Sequence, residues 1–229
     1  MFLFDYTMVI LIPGVIFSMI AQWMVSSAYK KYSKISIRSG VTGTETAQRI
    51  LAKNNISNVS IHGISGNMTD HYDSRNKSMA LSGGVANAST IAAVGIAAHE
   101  TGHAIQDAKD YFPLRFRNTV VPICGFATQA AWPIFFVGLL FGRNGFGGML
   151  MDFGILLFCV ALVFYIITLP VEFNASRRAV VELSQSGIVT QEELGGVKKV
   201  LTAAALTYVA STLMALLQLL RLIAIRNRD

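Results

Sequence analysis

The sequence predicts a mainly α-helical integral membrane protein with about four membrane helices and a small cytoplasmic α+β part that contains a short β-hairpin. Composition is the first observation: of 229 residues, 53% are hydrophobic and only 14% are charged, whereas soluble domains carry about a quarter charged residues. The second is that four long stretches contain no charged residue. Each is close to the roughly 20 residues that cross a bilayer.

The apolar stretches differ in length and in their flanking residues. The first predicts an uncleaved N-terminal anchor, because Asp5 precedes it while Lys30 and Lys31 follow it. The second contains Pro122 and Pro133, whose kinks are tolerated where neighbouring helices satisfy the freed carbonyls. The third is the shortest. In order, the four stretches cover residues 6–25, 119–141, 153–169 and 200–220.

Positive charge predicts a multi-pass topology with the polar segments in the cytoplasm. Fifteen of the 19 Lys and Arg residues lie between the first and second runs or between the third and fourth. If the last apolar stretch crosses the membrane, the C-terminal arginines lie outside the cell; if it forms a re-entrant or surface helix, they stay inside. We expect it to cross. The net charge of +6 is explained by loops that face anionic lipid, so the bilayer is a predicted partner and nucleic acid is not.

We expect one integrated domain built from five consecutive segments, part in and part on the membrane. They are an N-terminal anchor (1–28), a cytoplasmic segment with the helix around His99–His103, called the motif helix below (29–118), a membrane helix pair (119–170), a cytoplasmic helix (171–199) and a last membrane or re-entrant helix (200–229).

The first polar segment alternates between helix and strand patterns. Residues 44–54 predict a helix that Thr44 caps. Residues 59–64 and 78–82 favour strands, and the turn-rich residues 66–76 between them predict a hairpin of these two strands.

Glycines and caps delimit the remaining polar helices. Gly83 and Gly84 break the chain before the motif helix, which we expect to start near Asn87. Residues 171–186 form an amphipathic helix that Gly187 ends, and Thr190 caps the next helix.

The sequence His99-Glu100-Thr101-Gly102-His103 has the HExxH spacing of zinc hydrolases. Residues four apart share one face of a helix, so both imidazoles can reach one metal ion. Glu100 follows the first histidine and can take a proton from a zinc-bound water. The alternative is a pair of core histidines that happen to be spaced by four.

Glu172 is the best candidate for the third ligand that a catalytic zinc requires. It is the only carboxylate between residues 153 and 175, and a buried carboxylate needs a positive partner, which zinc would supply. Alternatively, Glu172 pairs with Arg177 or Arg178 near the membrane surface.

Asp107 is a weaker candidate, because four residues beyond His103 it lies a full turn too far along the helix to be a direct ligand. Support of His103 by a hydrogen bond is the more natural role for its carboxylate. The longer motif HExxHxxGxxH is excluded, since Gln106 and Lys109 occupy its last two positions.

Three segments carry a resemblance to a known family: HETGHA at 99–104, VEFNASRRA at 171–179 and DHYDSRNKSMALS at 70–82. Over essentially its whole length the chain resembles the YugP-like neutral zinc metallopeptidases of bacterial membranes. More distantly it is similar to the HtpX and CAAX-processing membrane proteases, gluzincins in which a helix with ExxxD follows HExxH.

The resemblance implies a zincin-like catalytic segment. His99, His103 and Glu172 would be ligands of one zinc ion per chain, and Glu100 would be the general base. One departure is Ser176, which stands where the distant group has an aspartate that orients a zinc-bound histidine. A serine accepts that hydrogen bond more weakly.

The function that follows is hydrolysis of peptide bonds by a zinc-activated water at the cytoplasmic face of the bacterial cell membrane. The substrate would be a peptide or protein, membrane proteins included, and residues 78–82 could bind it as an edge strand or be only a packed strand. Two alternatives belong to other classes: a catalytically idle zinc-binding assembly or regulatory protein, and, more weakly, a transport path. The candidates for stabilising the transition-state oxyanion are His71, Tyr72, Arg177 and Arg178.

Overall fold

The computed structural model describes residues 6–227 and consists mainly of helices, with one small sheet. A 3₁₀ turn at Tyr6–Leu11 precedes the first α-helix. The helices are α1 (Ile12–Tyr32), α2 (Gly43–Lys53), α3 (Gly83–Ala86), α4 (Ile91–Ala108), α5 (Phe112–Leu140), α6 (Gly145–Ser186) and α7 (Gln191–Arg226). The strands are β1 (Ser60–Ile64), β2 (His71–Asp73) and β3 (Ser78–Ser82).

Four helical segments are long and apolar enough to cross a membrane, which confirms the predicted fold class. Large apolar side chains on these helices are exposed to an unusual degree: Leu140 is 86% exposed, Phe126 69% and Ile123 64%. Exposed apolar surface of this extent is typical of helices that contact a membrane or another protein. The four segments are Tyr6–Tyr32, Phe112–Leu140, Gly145–Ser186 and Gln191–Arg226.

The chain divides into two compact units, and α1, α5, α6 and α7 each contribute residues to both. The apolar unit consists of residues 6–21, 116–169 and 207–227 of the described chain. The site unit consists of Gln22–Arg115 and Pro170–Leu206.

Small residues allow the helices of the apolar unit to pack closely. A Cβ at Gly154 in α6 would lie 2.9 Å from the Cβ of Phe135 in α5, and Phe135 is fully buried. Small residues at such contacts are typical of membrane helices, whose backbones approach each other closely. Arg226 at the end of α7 donates two hydrogen bonds to the Asp152 carboxylate of α6.

Three predicted helix boundaries are corrected. The hydroxyl of Thr42, rather than Thr44, accepts from Glu45 N and caps α2 in a capping box. Residues 83–86 form the short helix α3, and the motif helix begins at Ile91 because Thr90 caps it by accepting from Ala93 N. Residues 145–186 form one helix that continues through Pro170.

The caps predicted for the last polar helices are confirmed. The helix α6 ends at Ser186, directly before Gly187, which has a φ of +68°. The Glu193 carboxylate accepts from Thr190 N and the Thr190 hydroxyl accepts from Glu193 N, so this capping box starts α7.

The core of the site unit lies where α2, α4, α6 and α7 meet. Ile50, Val94, Ile105, Leu183 and Val197 are each at most 1% exposed and belong to one apolar cluster. Burying side chains of this size stabilises the unit by about 1.5–3 kcal/mol each. The motif helix α4 is therefore held on several sides by apolar packing.

The sheet has the order β1-β3-β2, which corrects the predicted hairpin of residues 59–64 with 78–82. β1 pairs with β3 in parallel, and the hairpin is formed by β2 and β3. The strand β2 lies within the segment that the sequence assigned to a turn. Directly after β2 the chain does turn, because the Asp73 carboxylate accepts a hydrogen bond from Arg75 N. Both edges of β3 are thus paired, so the predicted role of residues 78–82 as a substrate-binding edge strand is wrong; β3 is a packed central strand.

Candidate metal centre

The helix α4 places the two motif histidines on one face. The imidazoles of His99 and His103 follow each other by one turn, with ring centroids 4.8 Å apart and planes at 86°. His103 is 8% exposed and Glu100, between them in sequence, is also 8% exposed. The motif therefore lies inside the site unit rather than on a solvated helix face.

The helix α6 approaches α4 closely at the motif. A Cβ built on Gly102 would lie 2.5 Å from the carbonyl oxygen of Ala175. Only a glycine at this position allows the two backbones to come so close. The contact brings Glu172, one turn before Ala175 and 4% exposed, to the histidines.

The three candidate ligands converge. Nε2 of His99 lies 3.4 Å from Oε2 of Glu172, and Nε2 of His103 lies 3.6 Å from the same oxygen. Ligand atoms of a tetrahedral zinc with metal–ligand distances of about 2.0–2.2 Å are separated by about 3.3–3.6 Å. The donor set fits zinc, the two histidine–glutamate distances are of this size, and the three ligand atoms all lie within 4.8 Å of one another. Among residues 6–227 this is the one such group of three His, Cys, Asp or Glu side chains.

The outer nitrogen of each histidine faces a polar side chain. Ser176 Oγ lies 3.1 Å from Nδ1 of His99, and Gln106 Oε1 lies 3.0 Å from Nδ1 of His103. A hydrogen bond at Nδ1 fixes the ring and leaves the Nε2 lone pair for a metal. Ser176, the residue that departs from the pattern of the distant families, thus contacts the outer nitrogen of a candidate ligand.

Gln106 is fully buried and links α4 to α6. Its Nε2 donates to the carbonyl oxygen of Val171 and to Oδ1 of Asn174, which also accepts from Nε of Arg178. Our sequence reasoning used Gln106 only to exclude a longer motif and did not single out Asn174. The sequence did contain a signal, because Gln106 stands three residues after His103, and residues three apart lie on the same face of a helix.

Glu100 is positioned as a buried carboxylate beside the candidate ligands. The pKa of Glu100 is raised to about 7, chiefly by burial; the charge of His99 lowers it, and the charges of Glu172 and Asp70 raise it. A carboxylate with a pKa near neutrality can both accept and return a proton.

Asp107 contacts the β2–β3 hairpin. Its Oδ2 accepts hydrogen bonds from the Tyr72 hydroxyl at 2.6 Å and from Nζ of Lys77. Burial and the Asp107 carboxylate raise the pKa of Tyr72. The side chain that contacts His103 Nδ1 is Gln106, so the predicted support of His103 by Asp107 stays a prediction without a contact that favours it.

The other predicted residues lie around this centre in different ways. His71 is exposed, its Nδ1 lies 2.9 Å from the Thr69 carbonyl oxygen, and its charge influences Glu100. Arg177 is exposed, whereas Arg178 donates to Asn174 and lies over the ring of Tyr111 at 6.0 Å.

Comparison with known proteins agrees with this donor set. Residues 7–227 match the family model described as "Putative neutral zinc metallopeptidase". The chain is 43% identical over 205 residues to "Putative membrane protease YugP" of Bacillus subtilis (strain 168), which covers 90% of this chain and 89% of that protein. No solved structure matches the chain. The family model spans nearly all of the sequence, and the chain therefore belongs to the neutral zinc metallopeptidase family.

Proposed function

We propose that this protein is a membrane-embedded zinc metallopeptidase that hydrolyses peptide bonds of a peptide or protein substrate. The observation that carries the proposal is the convergence of His99 Nε2, His103 Nε2 and Glu172 Oε2 on the helix pair that also holds Glu100. The family membership and the relationship to a protein described as a membrane protease support it.

In the proposed mechanism, His99, His103 and Glu172 hold one zinc ion per chain. When bound, the ion would lower the pKa of a water molecule and polarise the scissile carbonyl. Glu100 accepts a proton from the attacking water and returns it to the leaving amine. Its buried position, which holds the pKa near 7, suits both transfers.

Gln106 and Ser176 keep the histidines in the required tautomer. The Gln106 amide nitrogen donates to two oxygens of α6, so its oxygen faces His103 and accepts from Nδ1–H. Ser176 Oγ accepts from Nδ1–H of His99 in the same way. Both rings then present unprotonated Nε2 atoms towards Glu172.

The contacts distinguish the four candidates for the oxyanion donor. The Tyr72 hydroxyl donates to Asp107, and Arg178 donates to Asn174, so both have defined partners elsewhere. His71 is exposed and lies close enough for its charge to influence Glu100. We therefore propose that protonated His71 is the donor, with Arg177 as the alternative.

The proposal also includes the topology of the protein in the membrane. Four apolar helices and the positive-inside rule support a multi-pass protein with the site facing the cytoplasm. The helix α7 ends at Arg226, which pairs with Asp152 near the start of α6. This pair supports crossing by α7, because it brings the end of α7 to the same side as the loop between α5 and α6.

Glu100→Gln tests the catalytic assignment in the detergent-purified full-length protein. We expect it to retain zinc and to lose casein cleavage by at least the factor of about 10²–10⁴ that general acid–base catalysis contributes. His71→Ala in the same series should retain zinc and lower kcat by about 10²–10³. Glu182→Gln is the matched control, since Glu182 lies on α6 in an ion pair with Lys53 and such pairs contribute only about 0–1 kcal/mol.

The same experiment separates the main rival function. A catalytically idle assembly or regulatory protein would keep zinc and show no casein cleavage in the wild type, and Glu100→Gln would leave its cellular phenotype intact. Wild-type cleavage that persists in Glu100→Gln would contradict the role of Glu100.

A further inference from the structure

A groove of about 450 Å³ lies within the site unit between the C-terminal part of α1 and the N-terminal part of α7. One end of its lining is apolar and the other is basic. The apolar residues are Trp23, Met24 and Ala203, and the basic residues are Lys31, Lys198 and Lys199.

The basic end carries an excess of positive charge. Among the residues that the structure describes, none contributes a carboxylate to the lining of the groove. All three lysines are exposed. The adjoining cavity shares Lys31 and Lys199 with the groove and is also lined by Glu192 and Glu193; the Glu193 carboxylate already accepts hydrogen bonds from the backbone N–H groups of Arg38 and Thr190. With Glu192 counted, the three lysines of the rim are still in excess, so the rim is complementary to an anion.

The groove also lies at the border between apolar and polar sequence on both helices. The run 6–25 ends within its lining, and the run 200–220 begins there. Trp23 is 69% exposed, and tryptophan is enriched at the membrane–water interface. Eight residues of helix separate Trp23 from Lys31, a rise of about 12 Å, which spans the depth from phosphate to upper acyl chain.

We propose that this groove binds one anionic phospholipid. Its phosphate contacts Lys31, Lys198 and Lys199, and an acyl chain lies against Trp23 and Met24. Basic pockets between membrane helices on the cytoplasmic side bind anionic head groups in this way. The inference rests on the proposed membrane placement and is independent of peptidase activity.

Tryptophan quenching tests the proposal directly. The chain has two tryptophans, Trp23 and Trp132, so Trp132→Phe leaves Trp23 as the single reporter. The full-length variant in phosphatidylcholine nanodiscs is titrated with phosphatidylglycerol whose acyl chains are brominated, and separately with brominated phosphatidylcholine. We expect half-maximal quenching at a much lower mole fraction of phosphatidylglycerol than of phosphatidylcholine.

Charge-matched variants locate the effect. Replacing Lys31, Lys198 and Lys199 by Gln should weaken the phosphatidylglycerol preference on the order of 100-fold, given the attraction of each lysine to anionic lipid. The control replaces three exposed lysines outside the groove by Gln and should keep the preference: Lys30, Lys34 and Lys109.

Three results would overturn the proposal. Equal quenching by the two lipids would remove the specificity, and equal loss in both triple variants would assign the effect to general surface charge. Reversal of quenching by inorganic phosphate at constant ionic strength would identify a free-phosphate site instead of a lipid site. Zinc content and casein cleavage are measured on the same samples, so a failure of the peptidase proposal is recognised separately.

Discussion

At the scale of single residues, Gln106 orients a candidate ligand, His103, without being a ligand itself. Its nitrogen donates to Val171 O and Asn174 Oδ1 on α6, which directs its oxygen to His103 Nδ1. Removing this amide would leave a buried imidazole N–H and a buried carbonyl without their partner.

We predict that Gln106→Ala weakens zinc binding by about 10–100-fold, because the side chain that orients His103 is lost. It should also reduce the free energy of unfolding by about 1–3 kcal/mol. Chelator competition measures the zinc affinity and thermal unfolding in detergent measures the stability. Gln48→Ala, an exposed glutamine on α2, should change neither quantity. Unchanged zinc affinity in Gln106→Ala would show that His103 is oriented by other contacts.

At the scale of elements, the site depends on how closely α4 and α6 approach each other. Gly102 contacts the Ala175 backbone, and Gly95, two turns earlier on α4, faces Val197 of α7. Interiors packed at this density do not absorb an added methyl group without movement of the backbone. The separation of α4 and α6 therefore decides whether Glu172 reaches the histidines.

We predict that Gly102→Ala separates these helices, lowers stability by about 1–3 kcal/mol and reduces zinc occupancy. The reason is that its Cβ would lie 2.5 Å from the Ala175 carbonyl oxygen. Gly195→Ala on α7 is the control, because open space surrounds that position and alanine favours a helix by about 1 kcal/mol. If Gly102→Ala binds zinc like the wild type, close approach of the two backbones is not a requirement of the site.

Elements with a strong sequence period were predicted well, whereas the sheet was not. The apolar runs and the i, i+4 histidines follow from helix geometry alone, and the Thr190 cap follows from local hydrogen bonding. Strand order depends on pairing between distant segments. For this reason β2, with only three residues in an Asp- and Asn-rich segment, was assigned to a turn.

The residues of the candidate site could likewise be predicted from the sequence only in part. Glu172 could be proposed from sequence because a lone carboxylate in an apolar stretch is conspicuous. The contacts of Asn174 with Gln106 and Arg178 could not be proposed, since they depend on which face of α6 meets Gln106. Asp107 was proposed as the support of His103 and Gln106 was not considered for that role, although residues three and four apart both share a helix face.

At the scale of the whole molecule, charge distribution determines the proposed topology. Basic residues are concentrated in the chain segments before α5 and around the start of α7, which flank the site. The loop between α5 and α6, by contrast, carries a single arginine, Arg143. The positive-inside rule then assigns the site to the cytoplasm. Arg226 at the end of α7 pairs with Asp152 of α6, and in the proposed topology this end of α7 lies on the side opposite to the site, so that α7 crosses.

We predict that a cysteine at His62 reacts with a membrane-impermeant thiol reagent only in inverted vesicles, and one at Asn144 only in intact cells. Both positions are exposed, at β1 and in the α5–α6 loop. The natural Cys124 and Cys159 are replaced by Ser in the background, and Lys109→Cys serves as a second cytoplasmic position. Labelling of His62→Cys in intact cells would invert the topology.

Zinc content of the purified protein tests the central claim most directly, with wild type measured beside Glu172→Ala and the matched Glu182→Ala. Both substitutions remove a glutamate from α6, but only Glu172 lies 3.4 and 3.6 Å from the histidine Nε2 atoms. We predict one zinc per chain in the wild type and in Glu182→Ala, and loss of zinc in Glu172→Ala. Full zinc occupancy in Glu172→Ala would contradict the assignment of the third ligand and return the search to Asp107, and absence of zinc from the wild type would contradict the metal centre itself.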